Sequence, residues 1–274
     1  MPDVLIGVED LVEAMLSNRP PAVLDVRWRL GEDDGEQRYR AGHLPGAVYV
    51  DLESELAAPA DPAHGRHPLP DVADLQAAAR SWGVDFGAPV VVYDDNGGQS
   101  AARLWWLLRW GGVSEVRILD GGYRAWQDAG MRESKGDATP RTGSVTLTGD
   151  SMPTATIDEA ANTDALLLDA RSAERYRGDV EPVDPRPGHI PGAISAPTAD
   201  NLDSDEHFLD NDTLRTRFAG LGVDGSRDVI VYCGSGVTAA HQIAALNQVG
   251  IDATLYPGSY SQWSSDASRE VQTG

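Results

Sequence analysis

A second cysteine is missing from this chain. Cys233 is the only thiol among 274 residues, so no disulfide can close within the chain, and nothing here depends on an oxidising compartment. Basic charge is scarce as well: 22 Lys and Arg stand against 43 Asp and Glu, a formal net charge of −21. That balance argues against nucleic acid as a partner, because phosphate backbones call for basic patches. It also means that any anionic ligand must be met by local cations or main-chain N–H groups working against the global field. Long apolar runs are absent too. None approaches the ~20 residues that cross a bilayer, and "MPDVLIGVEDLVEAML" has no basic start followed by a long apolar core. The expectation is a cytoplasmic protein with no membrane attachment. Six scattered histidines show no ligand spacing and one cysteine cannot supply a set of thiolates, so no metal site and no cofactor are expected.

What is present is written twice. "LDVRW" (24–28) recurs as "LDARS" (168–172), and "GHLPGAVYV" (42–50) as "GHIPGAISA" (188–196). "VVVYDDNGGQSAARLWWLLRWGG" (90–112) recurs as "VIVYCGSGVTAAHQIAALNQVGI" (229–251), and "ILDGGYRAW" (118–126) as "LYPGSYSQW" (255–263). The blocks keep their order, and the offset drifts only between them, as loop insertions and deletions would cause. Two long copies indicate a pair of domains rather than a solenoid. Each copy alternates short apolar runs with stretches of helical periodicity that stop at glycine, such as "ADLQAAARSWG" and "TLRTRFAGLG". The fold class is therefore α/β, with each domain a mainly parallel central sheet flanked by helices on both faces. Hydrophobic residues at 41% and seven tryptophans suffice for packed cores. Trp105, Trp106, Trp126 and Trp263 read as core or interdomain packing. The expected domains are 1–135 and 154–274, joined by a polar Gly-, Ser-, Thr- and Pro-rich linker over 136–153.

A lone cysteine is by default a small buried hydrophobe. Cys233, however, directly follows the strand "VIVY" and precedes a helix, at the carboxyl end of a parallel sheet where ligands gather. Gly234 and Gly236 let the chain curl, successive N–H groups in such a curl form an anion-binding nest, and the following helix adds its positive end. A helix dipole supplies only about 0.3–1 kcal/mol, so direct N–H···S contacts must contribute most of any stabilisation of a thiolate. Cysteine-dependent phosphatases place an arginine six positions after the thiol to clamp phosphate. That position is Ala239 here, which excludes the class.

The tandem pattern "D-x-R … G-H-[LI]-P-G-A … V-x-Y-C-G-S-G-V-T-A … [DP]-G-[GS]" resembles the two-domain rhodanese sulfurtransferases over residues 5–265. "GRHPLP" (65–70) and "YDDNGGQSAARLWWLLRW" are similar to bacterial members. The loop "CGSGVT" is similar to that of the 3-mercaptopyruvate branch, whereas the thiosulfate branch usually carries basic residues there. The resemblance implies that Cys233 takes a sulfur atom from a small anionic donor as a persulfide. Gly234, Ser235, Gly236, Val237 and Thr238 would cradle it. An acceptor such as thioredoxin, a low-molecular-weight thiol or cyanide would then remove it. Pyruvate would leave from 3-mercaptopyruvate, or sulfite from thiosulfate in the alternative reading. A further alternative is a non-catalytic persulfide carrier or redox-sensing module.

Arg175, in "RSAERYRG", matches the family arginine that binds the donor, and Arg186, in "EPVDPRPGHIPG", resembles a second carboxylate-binding arginine. Arg171 is expected to pair with Asp169 and tie down the strand end. His43 and His189 occupy matched "GH-x-PG" turns, a shared bracing position, although some family members use a first-domain histidine with the loop serine and His43 is the matching candidate. His241 reads as an ordinary helix-face residue. In the first copy Asp94 stands where Cys233 stands in the second. A carboxylate cannot carry sulfur, so that copy is expected to be catalytically silent.

Overall fold

The apolar runs read from the sequence form parallel strands. The structure, a computed structural model, describes residues 3–274, so the first two residues of the expected N-terminal domain lie outside the described residues. The chain folds into two units. The first takes the chain up to Leu56 with Pro70–Met152 and Ser204–Phe208, and the second takes Ala57–Leu69, Pro153–Asp203 and Leu209–Gly274.

In the first unit, β1 (Leu5–Ile6), β2 (Ala22–Asp25), β3 (Val48–Tyr49), β4 (Val90–Tyr93) and β5 (Val116–Leu119) form one parallel sheet in the order β1-β5-β4-β2-β3. Its centre is buried on both faces, which is why β4 reads as an unbroken "VVVY". The helix Ala101–Trp110 is buried at every position but Arg109, as expected of a helix apolar all round, and Trp105 and Trp106 are fully enclosed. In the second unit, β6 (Leu166–Asp169), β7 (Ile194–Ser195), β8 (Val229–Tyr232) and β9 (Thr254–Leu255) pair in parallel in the order β7-β6-β8-β9. Against them lies the helix Val237–Gln248, whose alanines permit close approach and whose buried face includes His241. His241 Nδ1 is 2.6 Å from Thr198 Oγ1, so this histidine is a core residue rather than an ordinary helix-face one.

The expected linker does not hang free. Gly143 N donates to Arg80 O at 2.7 Å, Val145 N to Val84 O at 3.1 Å, and Thr148 N to Gly111 O at 3.0 Å, all within the first unit. A Cβ on Gly143 would sit 2.0 Å from Val84 O, so glycine is what permits this approach. Conversely, residues 57–69, written in the first copy, belong to the second unit.

The repeated D-x-R and GH motifs brace the ends of β2 and β6. Arg27 clamps Asp25 (Nη2 to Oδ2 2.7 Å) and donates to Gly42 O at 2.6 Å. Arg171 clamps Asp169 (2.6 Å) and donates to Gly188 O at 2.6 Å. Both pairs are buried, so removing one partner leaves an uncompensated charge, a loss of about 3–5 kcal/mol. Beside each clamp the imidazole locks its turn. His43 Nδ1 meets Tyr39 O at 3.0 Å with the rings stacked, and His189 Nδ1 meets Tyr176 O at 2.8 Å in the same way.

Candidate active site

Strand β8 delivers Cys233 to the carboxyl end of the second sheet, and Gly236 (φ +81°) turns the chain into the helix that begins at Val237. Within this short loop Gly236 N donates to Cys233 Sγ at 3.1 Å, the main-chain contact that a nest around the sulfur requires. Thr238 lies on the first turn of the helix. The loop is zipped to the turn after β9: Tyr260 N donates to Cys233 O at 3.0 Å and Ser261 N to Gly234 O at 2.8 Å. Ser259 adopts φ +52°, unusual for a residue with a side chain. Its hydroxyl accepts from Cys233 N (3.2 Å) and donates to Tyr256 O (2.9 Å), contacts that offset the strain. The matching position in the first copy is Gly122, at φ +55°.

Cys233 is only 2% exposed, less open than its place on a turn implies. The segment Ala57–Leu69 brings polar residues against the loop. His67 Nδ1 and Ser235 Oγ are 2.7 Å apart, with both side chains buried. Arg66 N donates to Ser261 Oγ at 3.1 Å, and the Arg66 guanidinium pairs with Asp184 Oδ1. Arg175 completes the group, with Nη2 at 2.8 Å from Asp184 Oδ2 and 2.6 Å from Glu181 Oε1. Burial pushes the Asp184 carboxyl upward, outweighing both arginines. Burial acts on Glu181 in the same sense, but the Arg175 hydrogen bond and the Asp184 and Val183 amides hold its carboxyl below the usual range. A cavity of about 260 Å³ opens beside Arg66 and Asp184, lined also by Gly65, Val183 and Ser261.

Arg186 does not join this group. Its Nε donates to Ser264 O (2.8 Å), Nη1 to Arg269 O (2.8 Å), and Nη2 to Trp263 O (3.0 Å) and Asp266 O (2.7 Å). The guanidinium closes the carboxyl end of the helix Ser259–Ser265, where backbone acceptors lack partners. The role expected of Arg186 as a donor ligand gives way to this one, because every nitrogen is spent on main-chain carbonyls. His43 belongs to the first unit, where its Nδ1 meets Tyr39 O and its ring stacks on Tyr39. The histidine on the loop serine is His67.

The first copy shows what the loop does when a carboxylate replaces the thiol. Asp94 is buried and accepts four main-chain N–H groups, from Gly98, Ser100 and Ala101 at 2.8 Å and from Asn96 at 3.1 Å. Burial nevertheless raises its carboxyl to about 6, against the pull of those amides.

The rhodanese-like domain family matches residues 8–129 and again 153–266. The chain belongs to this family. A Mycobacterium tuberculosis protein named as a thiosulfate sulfurtransferase is 48% identical over 99% of this chain and 97% of its own length. A Pseudomonas aeruginosa protein named as a 3-mercaptopyruvate sulfurtransferase is 43% identical over 95% of each chain. The crystal structure of the Escherichia coli 3-mercaptopyruvate sulfotransferase SseA is similar with a TM-score of 0.83 and 32% identity, over 94% of this chain and 99% of that one. This rhodanese is a sulfurtransferase.

Sequence reading alone did not place Arg66 and His67 beside the loop. The signal was "GRHPLP", a polar stretch between helical segments that falls in none of the repeated blocks. Among the described residues no helix of the rhodanese is long and apolar enough to cross a membrane.

Proposed function

We propose that the protein is a 3-mercaptopyruvate sulfurtransferase that works through a persulfide on Cys233. The Ser235–His67 hydrogen bond carries this reading. When the Cys233 thiolate attacks the donor's sulfur, the S–S bond forms and the donor's C–S bond breaks. The electron pair passes to carbon and its conjugated carbonyl, as the enolate of pyruvate. The proton carried on the donor's sulfur ends on that carbon, giving pyruvate and Cys233–S–S⁻. An enolate oxygen needs an O–H or N–H donor, and a hydroxyl backed by an imidazole supplies one. With His67 Nδ1–H donating to Ser235 Oγ, the Ser235 O–H is left to donate to that oxygen. Sulfite, the leaving group from thiosulfate, is stable as an anion and makes no such demand.

Asp94 supports a silent first copy: its carboxylate fills the amide cradle and has no sulfur to offer. The acceptor is an exposed thiol, such as thioredoxin or a low-molecular-weight thiol, or cyanide, and the setting is the cytoplasm. Thiosulfate as donor is the second reading, favoured by the name of the 48%-identical Mycobacterium tuberculosis relative. The test is a donor comparison together with intact-mass measurement. Mercaptopyruvate should give the larger kcat/KM and add one sulfur atom, removable by reductant and absent in Cys233→Ser. A larger kcat/KM for thiosulfate would assign the second reading instead.

A further inference from the structure

Two guanidinium nitrogens beside Gly234 are left over. Arg66 uses Nη1 on Asp184, and Arg175 uses Nε and Nη2 on Glu181 and Asp184. Arg66 Nη2 and Arg175 Nη1 make no such bond among the described residues, and Arg66 Nε is buried with no hydrogen-bond partner. Both free nitrogens face one point. A Cβ placed on Gly234, the residue next to Cys233, would lie 2.9 Å from Arg66 Nη2 and 3.4 Å from Arg175 Nη1. Asp184 holds the two guanidinium groups together by taking one on each oxygen, which keeps two cations side by side.

The first copy contains the occupant of the corresponding place. Arg38, in "QRYR", matches Arg175, in "ERYR", and Asp95 matches Gly234. The Asp95 carboxylate accepts from Arg38 Nη1 at 2.5 Å, and Arg29 Nη2 stands 3.7 Å away. A carboxylate on residue 95 thus takes Arg38 in the first copy, while the Arg29 guanidinium bonds the Asp95 main-chain oxygen. In the second copy that side chain is deleted to glycine, and the space is left for a carboxylate that arrives with a ligand.

We propose that Arg66 and Arg175 together grip the carboxylate of the sulfur donor above Gly234, so that Arg66, and not Arg186, is the second cation that selects carboxylate-bearing donors. This deepens the reading of Cys233 as the atom that takes sulfur from mercaptopyruvate, and rests on it. Two planar forks converging on one carboxylate give a bidentate-capable site, which also fixes how far the donor's sulfur lies from Cys233. Together they supply the local cations that a chain of this net charge needs around an anionic donor.

The test compares alkylation of Cys233 by 3-bromopyruvate and by bromoacetone, two reagents that differ by a carboxylate in place of a methyl group. In both, the thiolate forms an S–C bond and bromide leaves with the electron pair. The ratio of the two rate constants reads capture of the carboxylate, independent of sulfur transfer and of any general damage to the loop. Arg66→Gln should lower the ratio about tenfold or more and raise the KM for mercaptopyruvate by a similar factor, and Arg66→Lys should restore part of both. A ratio within twofold of the parent in Arg66→Gln overturns the proposal, whatever happens to turnover. If the parent protein fails to use mercaptopyruvate while the ratio still falls in Arg66→Gln, the donor reading fails and the carboxylate grip stands.

Discussion

His67 Nδ1 and Ser235 Oγ share a hydrogen bond of 2.7 Å across 168 residues of sequence. In the mechanism proposed above, replacing the imidazole leaves the serine hydroxyl without its orienting partner as the enolate forms. His67→Ala should lower kcat with mercaptopyruvate by about 10²–10⁴-fold, the range of a positioned acid–base group. The loss with thiosulfate should be far smaller. Steady-state kinetics with both donors decide the point, and equal losses would reduce His67 to a packing residue.

Gly234 keeps the space above the sulfur open, and its backbone is not in the left-handed region reserved for glycine. Gly234→Asp should therefore fold, and its carboxylate should occupy Arg66 and Arg175 as Asp95 occupies Arg38. We expect kcat/KM for mercaptopyruvate to fall by about 100-fold or more, equivalent to about 2.7 kcal/mol of transition-state binding. Alkylation by bromoacetone should persist. A Gly234→Asp variant that still turns over the donor at the parent rate would mean that the donor does not use this space.

Arg186 makes the opposite prediction. Losing its guanidinium strands the carbonyls of Trp263, Ser264, Asp266 and Arg269. Arg186→Gln should cost about 2–3 kcal/mol of stability and lower Tm by roughly 5–10 °C. The KM for mercaptopyruvate should stay within twofold. A raised KM without thermal loss would return Arg186 to the donor site.

Asp94 gives the first unit a pH dependence whose sign is opposite to that of most ion-paired carboxylates. Its folded value is raised to about 6, above the ~3.9 of an unfolded aspartate. The group therefore contributes fully below about pH 4, and the contribution is lost as pH rises through about 6. Two pH units correspond to about 3 kcal/mol. Compared with the non-titrating Asp94→Asn, the parent should lose about that much stability between pH 4 and pH 7. Urea unfolding of both proteins at pH 4, 5.5 and 7 measures it, and parallel curves would contradict the buried-carboxylate account.

The fold was legible because its rules are local and repeated. "VVVY" and "VIVY" became the buried central strands, and the D-x-R and GH motifs became matching clamps at Asp25–Arg27 and Asp169–Arg171. The place of Cys233 at the end of β8, with its loop running into the next helix, could be read for the same reason: it stands inside a contiguous motif. Arg66 and His67 could not. They reach the loop from a non-repeated segment over a separation that periodicity does not encode. Arg186 was misleading for a related cause, since an arginine near a GH turn looks alike in sequence whether it faces a ligand or a helix end. The polar composition of 136–153 read as a linker, but main-chain bonds such as Gly143 N to Arg80 O need no apolar side chains and leave no pattern.

The segment Ala57–Leu69 has a consequence for how this gene can change. The half that carries the sulfur-bearing loop does not encode the imidazole and guanidinium that sit upon it. Cutting the reading frame near residue 153 would leave a fragment with Cys233 but without those two companions. Because Ala57–Leu69 is written in the first copy and belongs to the second unit, the second unit cannot be produced whole from the second copy's sequence alone.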